Sequence, residues 1–224
     1  MRHNSFNQVH KGLRALLYDT ALKIQQTDWA DPIAGGSLMA QLEEVIALFE
    51  SHAHNEDHFF NEPLEEINEE VAKLFEKEHE EDHRLSVLLQ KHMKSWRQAD
   101  TKGERLEAGT KLFYAFNEFI AFNLYHMNKE ETLLNQVLWD TYTDDQIRVT
   151  EQQLVQSIAP EKMMKYALWM IRGMNNPEMI HWMQELEKGA PAPVFQIIQS
   201  MAKEEWGSVR WKEVEKSLKS VTLL

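Results

Sequence analysis

The chain has 224 residues, enough for one generous domain or a domain with a helical appendage, and its 43% apolar content suffices for a core. A net charge of -12 argues against nucleic acid, whose phosphates need a basic footprint, and no apolar run nears the roughly 18 residues of a membrane span. Without cysteine there are no disulfides or thiolate sites, so any metal must be held by His, Asp and Glu; the N-terminal MRHNSFNQVHKGLR lacks the apolar stretch of a secretory signal, and a cytoplasmic protein is expected.

Pro and Gly are scarce and helix formers dominate, which predicts an all-α protein. A first helix is expected from about Phe6 to Gln26, ending in the breaker-rich stretch from Asp28 to Gly36. Ser37 is the expected cap of a second helix that runs to about Glu62, just before Pro63. A third follows from about Leu64 to Gln98, and a fourth from about Glu104 to Thr141. Four long helices with short connections predict an up-down-up-down four-helix bundle over residues 1–141.

Residues 142–224 are expected to form a C-terminal helical extension or small domain of shorter helices. The breaks fall at Ala159-Pro160, Asn175-Asn176-Pro177, the stretch from Gly189 to Pro193, and Gly207. This part is rich in large apolar residues such as Trp169, Met174, Met183 and Trp211, whose helical spacing reads as core.

Within the first part there is an internal echo. The run from His52 to Asn61 and the run from His126 to Asn135 share a histidine, two successive acids, two apolar residues and an Asn in register. Each half therefore reads as a helical hairpin with a His on its first helix (His10, His83) and His-x-x-x-Glu on its second.

Positions three or four apart share a helix face, so candidate ligands should fall on apolar stripes. On the second helix the stripe is Leu42, Val45, Phe49, His52, Glu56, Phe59; on the fourth, Phe116, Phe119, Asn123, His126, Glu130, Leu133. On the third it is Ala72, Phe75, His79, His83, Ser86, and on the first Phe6, His10, Leu13, Leu17. All four stripes turn polar partway along. Inward His and Glu on four helices call for positive charge at the centre, which metal cations supply. His54 and His58 lie about 200° and 240° around the helix from His52 and are expected on the surface or behind the ligands. His3, His92 and His181 have no comparable partners. A ferritin-like site would need Glu-x-x-His on two helices, whereas Glu76-x-x-His79 and Glu80-x-x-His83 share one helix.

The set His10, His52-x-x-x-Glu56, His79-x-x-x-His83 and His126-x-x-x-Glu130 resembles the hemerythrin HHE cation-binding family, in helix order over about residues 1–140. That resemblance implies two non-haem iron ions: His79, His83 and His126 on one, His10 and His52 on the other. Glu56 and Glu130 would bridge them together with an oxo or hydroxo group. The iron with two histidines would keep an open position for O2 or another small diatomic or peroxide ligand. In the oxygen-carrier branch the last carboxylate is an Asp five residues after its His, where this chain has Glu131; Glu130 follows the pattern of many bacterial HHE domains. Residues from Thr143 onward have no counterpart in the small oxygen carriers. The expected function is thus small-oxidant or NO binding in oxygen, redox or iron sensing or handling, more a binding protein than an enzyme. The alternatives are a di-iron enzyme with oxidase, peroxidase-like or iron-oxidising repair activity, and a regulatory protein whose C-terminal helices engage a protein partner or a second copy.

Overall fold

The computed structural model describes residues 2–221, with the side chains of 219–221 left aside; residue 1 and residues 222–224, the outer ends of the two segments expected above, lie outside the described residues. The described residues are almost entirely helical, with no strand among them. None of their helices is long and apolar enough to cross a membrane.

Helix α1 spans Asn7–Gln26 and α2 spans Pro32–Glu56. The cap of α2 is Asp31, not Ser37: its side chain accepts from Ile33 N, and Pro32 follows at the first helical position, where its missing N–H costs nothing. The breaker-rich stretch starts the helix instead of delaying it. A wide π turn, Asp57–Asn61, continues α2 without interruption, and the short α3, Glu62–Glu65, follows. Helix α4 is Glu69–Arg97, capped by Asn68, and α5 is Lys102–Lys129, opened by a Thr101–Glu104 capping box. A second π turn, Glu130–Leu134, joins α5 to α6, Asn135–Thr141.

Helix α7, Asp144–Ser157, comes next, then α8, Pro160–Gly173, and α9, Asn176–Gly189. Helix α10, Ala192–Val221, is kinked at Gly207, whose φ of 66° is a left-handed value that suits glycine. The breaks thus fall where Pro and Gly interrupt the periodicity.

The chain divides into two compact units. The first comprises the residues up to Ser5 together with Leu16–Ser157; the second comprises Phe6–Ala15 and Ile158–Leu224. Residues 142–157 therefore group with the first unit, where Arg2 donates to Asp144 Oδ1 and His3 pairs with Glu151. Residues 6–15 group with the second. There α1 crosses α8 so closely that a Cβ on Gly12 would lie 2.8 Å from Met170 N, and one on Gly173 2.2 Å from the Lys11 carbonyl. The second unit also has its own core, built from Ala167, Ile171, Met174, Met179, Met183, Ile198 and Trp211.

In the first unit α2 runs antiparallel to α4 and α4 to α5, and α1 is bonded to α2. Gln41 of α2 bonds Asp19 and Thr20 of α1; α2 meets α4 through Glu43–Arg97 and Glu50–Gln90; α4 meets α5 through Asp82–Asn123 and Glu78–Lys129. Leu42, Val45, Phe49, Phe75, Leu89, Leu112, Phe116 and Phe119 are buried between them. At one end Trp29 and Trp96 meet edge-on, and the Trp96 indole donates to the Trp29 carbonyl at 3.0 Å.

Candidate metal centre

At the C-terminal ends of α2 and α5, beside the first half of α4, the apolar core gives way to carboxylates and imidazoles. Glu56 and Glu130 are 2% and 0% exposed, and His52, His79 and His126 are buried beside them. Donor atoms of Glu56, His79, His126 and Glu130 lie within 4.8 Å of one another, and those of His52 fall in the same range of Glu56 and Glu130. The two glutamates are thus common to both groups. His52 Nε2 is 3.2 Å from Glu56 Oε1, and His126 Nε2 is 3.0 Å from Glu130 Oε1. His79 Nε2 stands 3.7 Å from Glu56 Oε2 and 3.6 Å from Glu130 Oε1, between the two carboxylates, with no hydrogen-bond partner.

The outward nitrogens of two imidazoles are held by acids. His79 Nδ1 donates to Asp57 Oδ1 at 2.6 Å, and His126 Nδ1 to Glu78 Oε2 at 2.9 Å. A carboxylate only accepts, so each Nδ1 carries the proton and each Nε2 points its lone pair inward when the ring is neutral. Asn61 also donates to Asp57, and Lys129 to Glu78, which fixes both acids in turn. Aromatic rings wall the site: Phe75 packs edge-on and Phe122 stacks on His126.

The π turns explain the internal echo. Steps of four along an α-helix advance about 40° each and drift off a face. Yet His52, Glu56, Phe60 and Leu64 are all buried, as are His126, Glu130, Leu134 and Leu138. In both runs the π turn takes up one extra residue just after the His-x-x-x-Glu motif, which offsets the drift. The Asn at the end of each echo closes the wide turn: Asn61 Nδ2 bonds Asp57 Oδ1, and Asn135 Nδ2 bonds the Glu131 carbonyl.

One expected ligand, His83, does not join the group. His83 is exposed. The inward stripe of α4 runs Phe75, His79, Asp82, Ser86, Leu89, Met93, Trp96, alternating steps of three and four, and it puts Asp82 where His83 was expected. His10 is fully buried on α1, in the stretch that belongs to the second unit, and packs on Phe6 at 5.6 Å. Of the two candidate acids, Glu130 is sealed in the core and Glu131 is only half-buried. His54 and His58 face solvent. Asp57, Glu78 and Asp82 lie outside the expected ligand set; Asn123 is on the expected stripe and donates to Asp82 at 2.7 Å.

The electrostatics favour cations. Burial by itself would push the His79 imidazole down, but Asp57, Glu130 and Glu56 around it push it up to about 12. Burial likewise opposes His126, yet Glu130 and Glu78 raise it to about 10. Without metal, then, imidazolium charge balances the buried glutamates. Ions about 2.0–2.2 Å from each donor would fit donors up to about 4.4 Å apart, close to the spread found here, and the imidazole–carboxylate set suits a first-row transition metal. These buried His/Glu groups can hold a metal ion. Comparisons with protein-family models, with curated proteins and with solved structures return no match.

Proposed function

We propose that this chain is a hemerythrin-like non-haem di-iron protein that binds O2, NO or a related small oxidant in oxygen, redox or iron handling. The observation that carries this reading is the sharing of Glu56 and Glu130 by two overlapping groups of buried donors, one with His79 and His126 and one with His52. Shared carboxylates are what a pair of cations needs, because negative charge between them offsets their mutual repulsion. His10 is assigned to the His52 position by the family resemblance. The antiparallel runs of α2 with α4 and α4 with α5, and the bonding of α1 to α2, support an up-down-up-down four-helix bundle around the centre.

In this reading Glu56 and Glu130 would hold both ions, while Asp57 and Glu78 keep His79 and His126 in the tautomer that presents Nε2. Phe75 and Phe122 exclude water from the His126 side. A reduced iron pair, when bound, supplies the electrons that let a small oxidant bind. The test is metal analysis with optical spectra before and after air exposure. Two irons per chain and a charge-transfer band that changes reversibly with O2 or NO are expected; protein that takes up no iron refutes the assignment.

One observation favours an enzyme as the second reading. With His83 turned to solvent, the His79/His126 position has two histidines instead of three, which leaves more coordination to an added ligand. Sustained peroxide turnover by the iron-loaded protein would put that reading first.

A further inference from the structure

One turn along the bundle from His79 and His126 lies a second buried polar layer that the ligand set does not use. Asp82 is 3% exposed, and Asn123 beside it is 1% exposed. Asn123 Nδ2 donates to Asp82 Oδ1 at 2.7 Å and also to the Phe119 carbonyl at 3.1 Å. Asp82 Oδ2 has no hydrogen-bond partner among the described residues. A further turn along, Ser86 is fully buried and its hydroxyl has no partner. Most other buried positions on these helices are apolar, so a clasped carboxyl here is costly unless it serves something polar.

We propose that Asp82 is a positioning residue that presents a hydrogen-bonding carboxyl to the small ligand taken up at the His79/His126 metal position. The inference rests on the di-iron reading and adds to it the group that greets the incoming ligand. Three observations support it. His79 and Asp82 lie one helical turn apart on the inward face of α4, as Asn123 and His126 do on α5. His83, the residue that would have filled the coordination place, points away. Burial raises the Asp82 carboxyl above the usual carboxylate range, so it holds a proton to higher pH than an exposed Asp. The charged groups that act on it are His126 on α5, His79 on α4 and Glu50 on α2; the histidines and the Asn123 donor lower it, and Glu50 raises it. A protonated carboxyl donates a hydrogen bond to an anionic or reduced small ligand, as an amide does, but only until it ionises.

The test is an optical titration of iron-loaded protein with azide across pH. In the wild type, azide affinity should fall about tenfold per pH unit above the pH at which Asp82 ionises. Asp82→Asn should keep its iron and lose that slope, because its amide donates at every pH. Asp82→Leu should keep its iron and bind azide at least about tenfold more weakly. Asn123→Leu removes the donor that favours the ionised form, so it should move the break to higher pH; it serves as the check if neither Asp82 variant folds. Iron-loaded variants with the wild-type profile would overturn the inference and leave the di-iron reading intact. Wild-type protein that takes up no iron would overturn both.

Discussion

Asp57 follows Glu56 directly, yet the two acids serve opposite sides of one imidazole: Glu56 lies 3.7 Å from His79 Nε2, and Asp57 accepts from His79 Nδ1 at 2.6 Å. The first expectation rests on this pair. Asp57→Ala should leave the helices folded, because Asp57 is half-exposed, and should weaken metal binding about 10–100-fold by freeing the His79 ring. Competition against a chelator measures it. Affinity equal to wild type would show that Asp57 does not orient the ring.

Removing a shared carboxylate differs from removing a histidine. Glu56→Ala should lower occupancy at both positions together, whereas His126→Ala should leave the His52 position able to load. Metal-to-protein ratios after dialysis separate the two outcomes, and independent filling in Glu56→Ala would contradict the sharing.

His83→Ala should change metal content by less than experimental error, since the side chain is exposed and stands apart from the donor groups. A loss of one equivalent of metal in this variant would restore His83 to the ligand set.

Stability should depend on pH in opposite senses with and without metal. His126 and His79 are raised in the fold to about 10 and about 12, against the ordinary 6.5 of an imidazole. The metal-free fold therefore binds more protons than the unfolded chain above about pH 6.5, and the stability this contributes is lost as pH rises through about 10. Melting temperatures of metal-free protein should fall from pH 7 to pH 9.5. Metal competes with those protons, so its affinity should rise over the same range. A metal-free melting temperature that climbs with pH would show that the imidazoles are neutral in the fold.

At the far end of the first unit, a Cβ at Gly35 would lie 2.1 Å from Trp96 Cζ2, within the indole itself. Gly35→Ala should cost about 1–3 kcal/mol by displacing the Trp96 ring from its seat against Trp29. Thermal or denaturant unfolding reads this directly.

Much of the centre could be seen in the sequence because polar residues interrupted strong apolar periodicity. His52, Glu56, His79, His126 and Glu130 sit on inward stripes and are buried. His83 went astray because two steps of four from Phe75 drift about 80° around a regular helix. His52 and Glu56 are a single step of four apart, a drift of about 40°, and the π turn after them offsets it for Phe60 and Leu64; no composition signal announces a π turn. Asp57 and Glu78 were hidden for a different reason: they act from the flank of the inward face, where a sequence shows only one more acid among many. The alternation of three and four along α4 would have exposed Asp82. The division of α1 between two units depends on the close Gly12 and Gly173 crossing, which local periodicity does not encode.

The two π turns carry an implication about ancestry. Each amounts to a single inserted residue, each sits just after His-x-x-x-Glu, and each is closed by an Asn at the same offset. An insertion in a buried helix disturbs everything downstream of it, so two independent acceptances at matching places would be a costly coincidence. One insertion in an ancestral hairpin, copied when that hairpin was duplicated, accounts for both. A single hairpin offers only one His-x-x-x-Glu motif, and the present chain brings two of them together within one polypeptide.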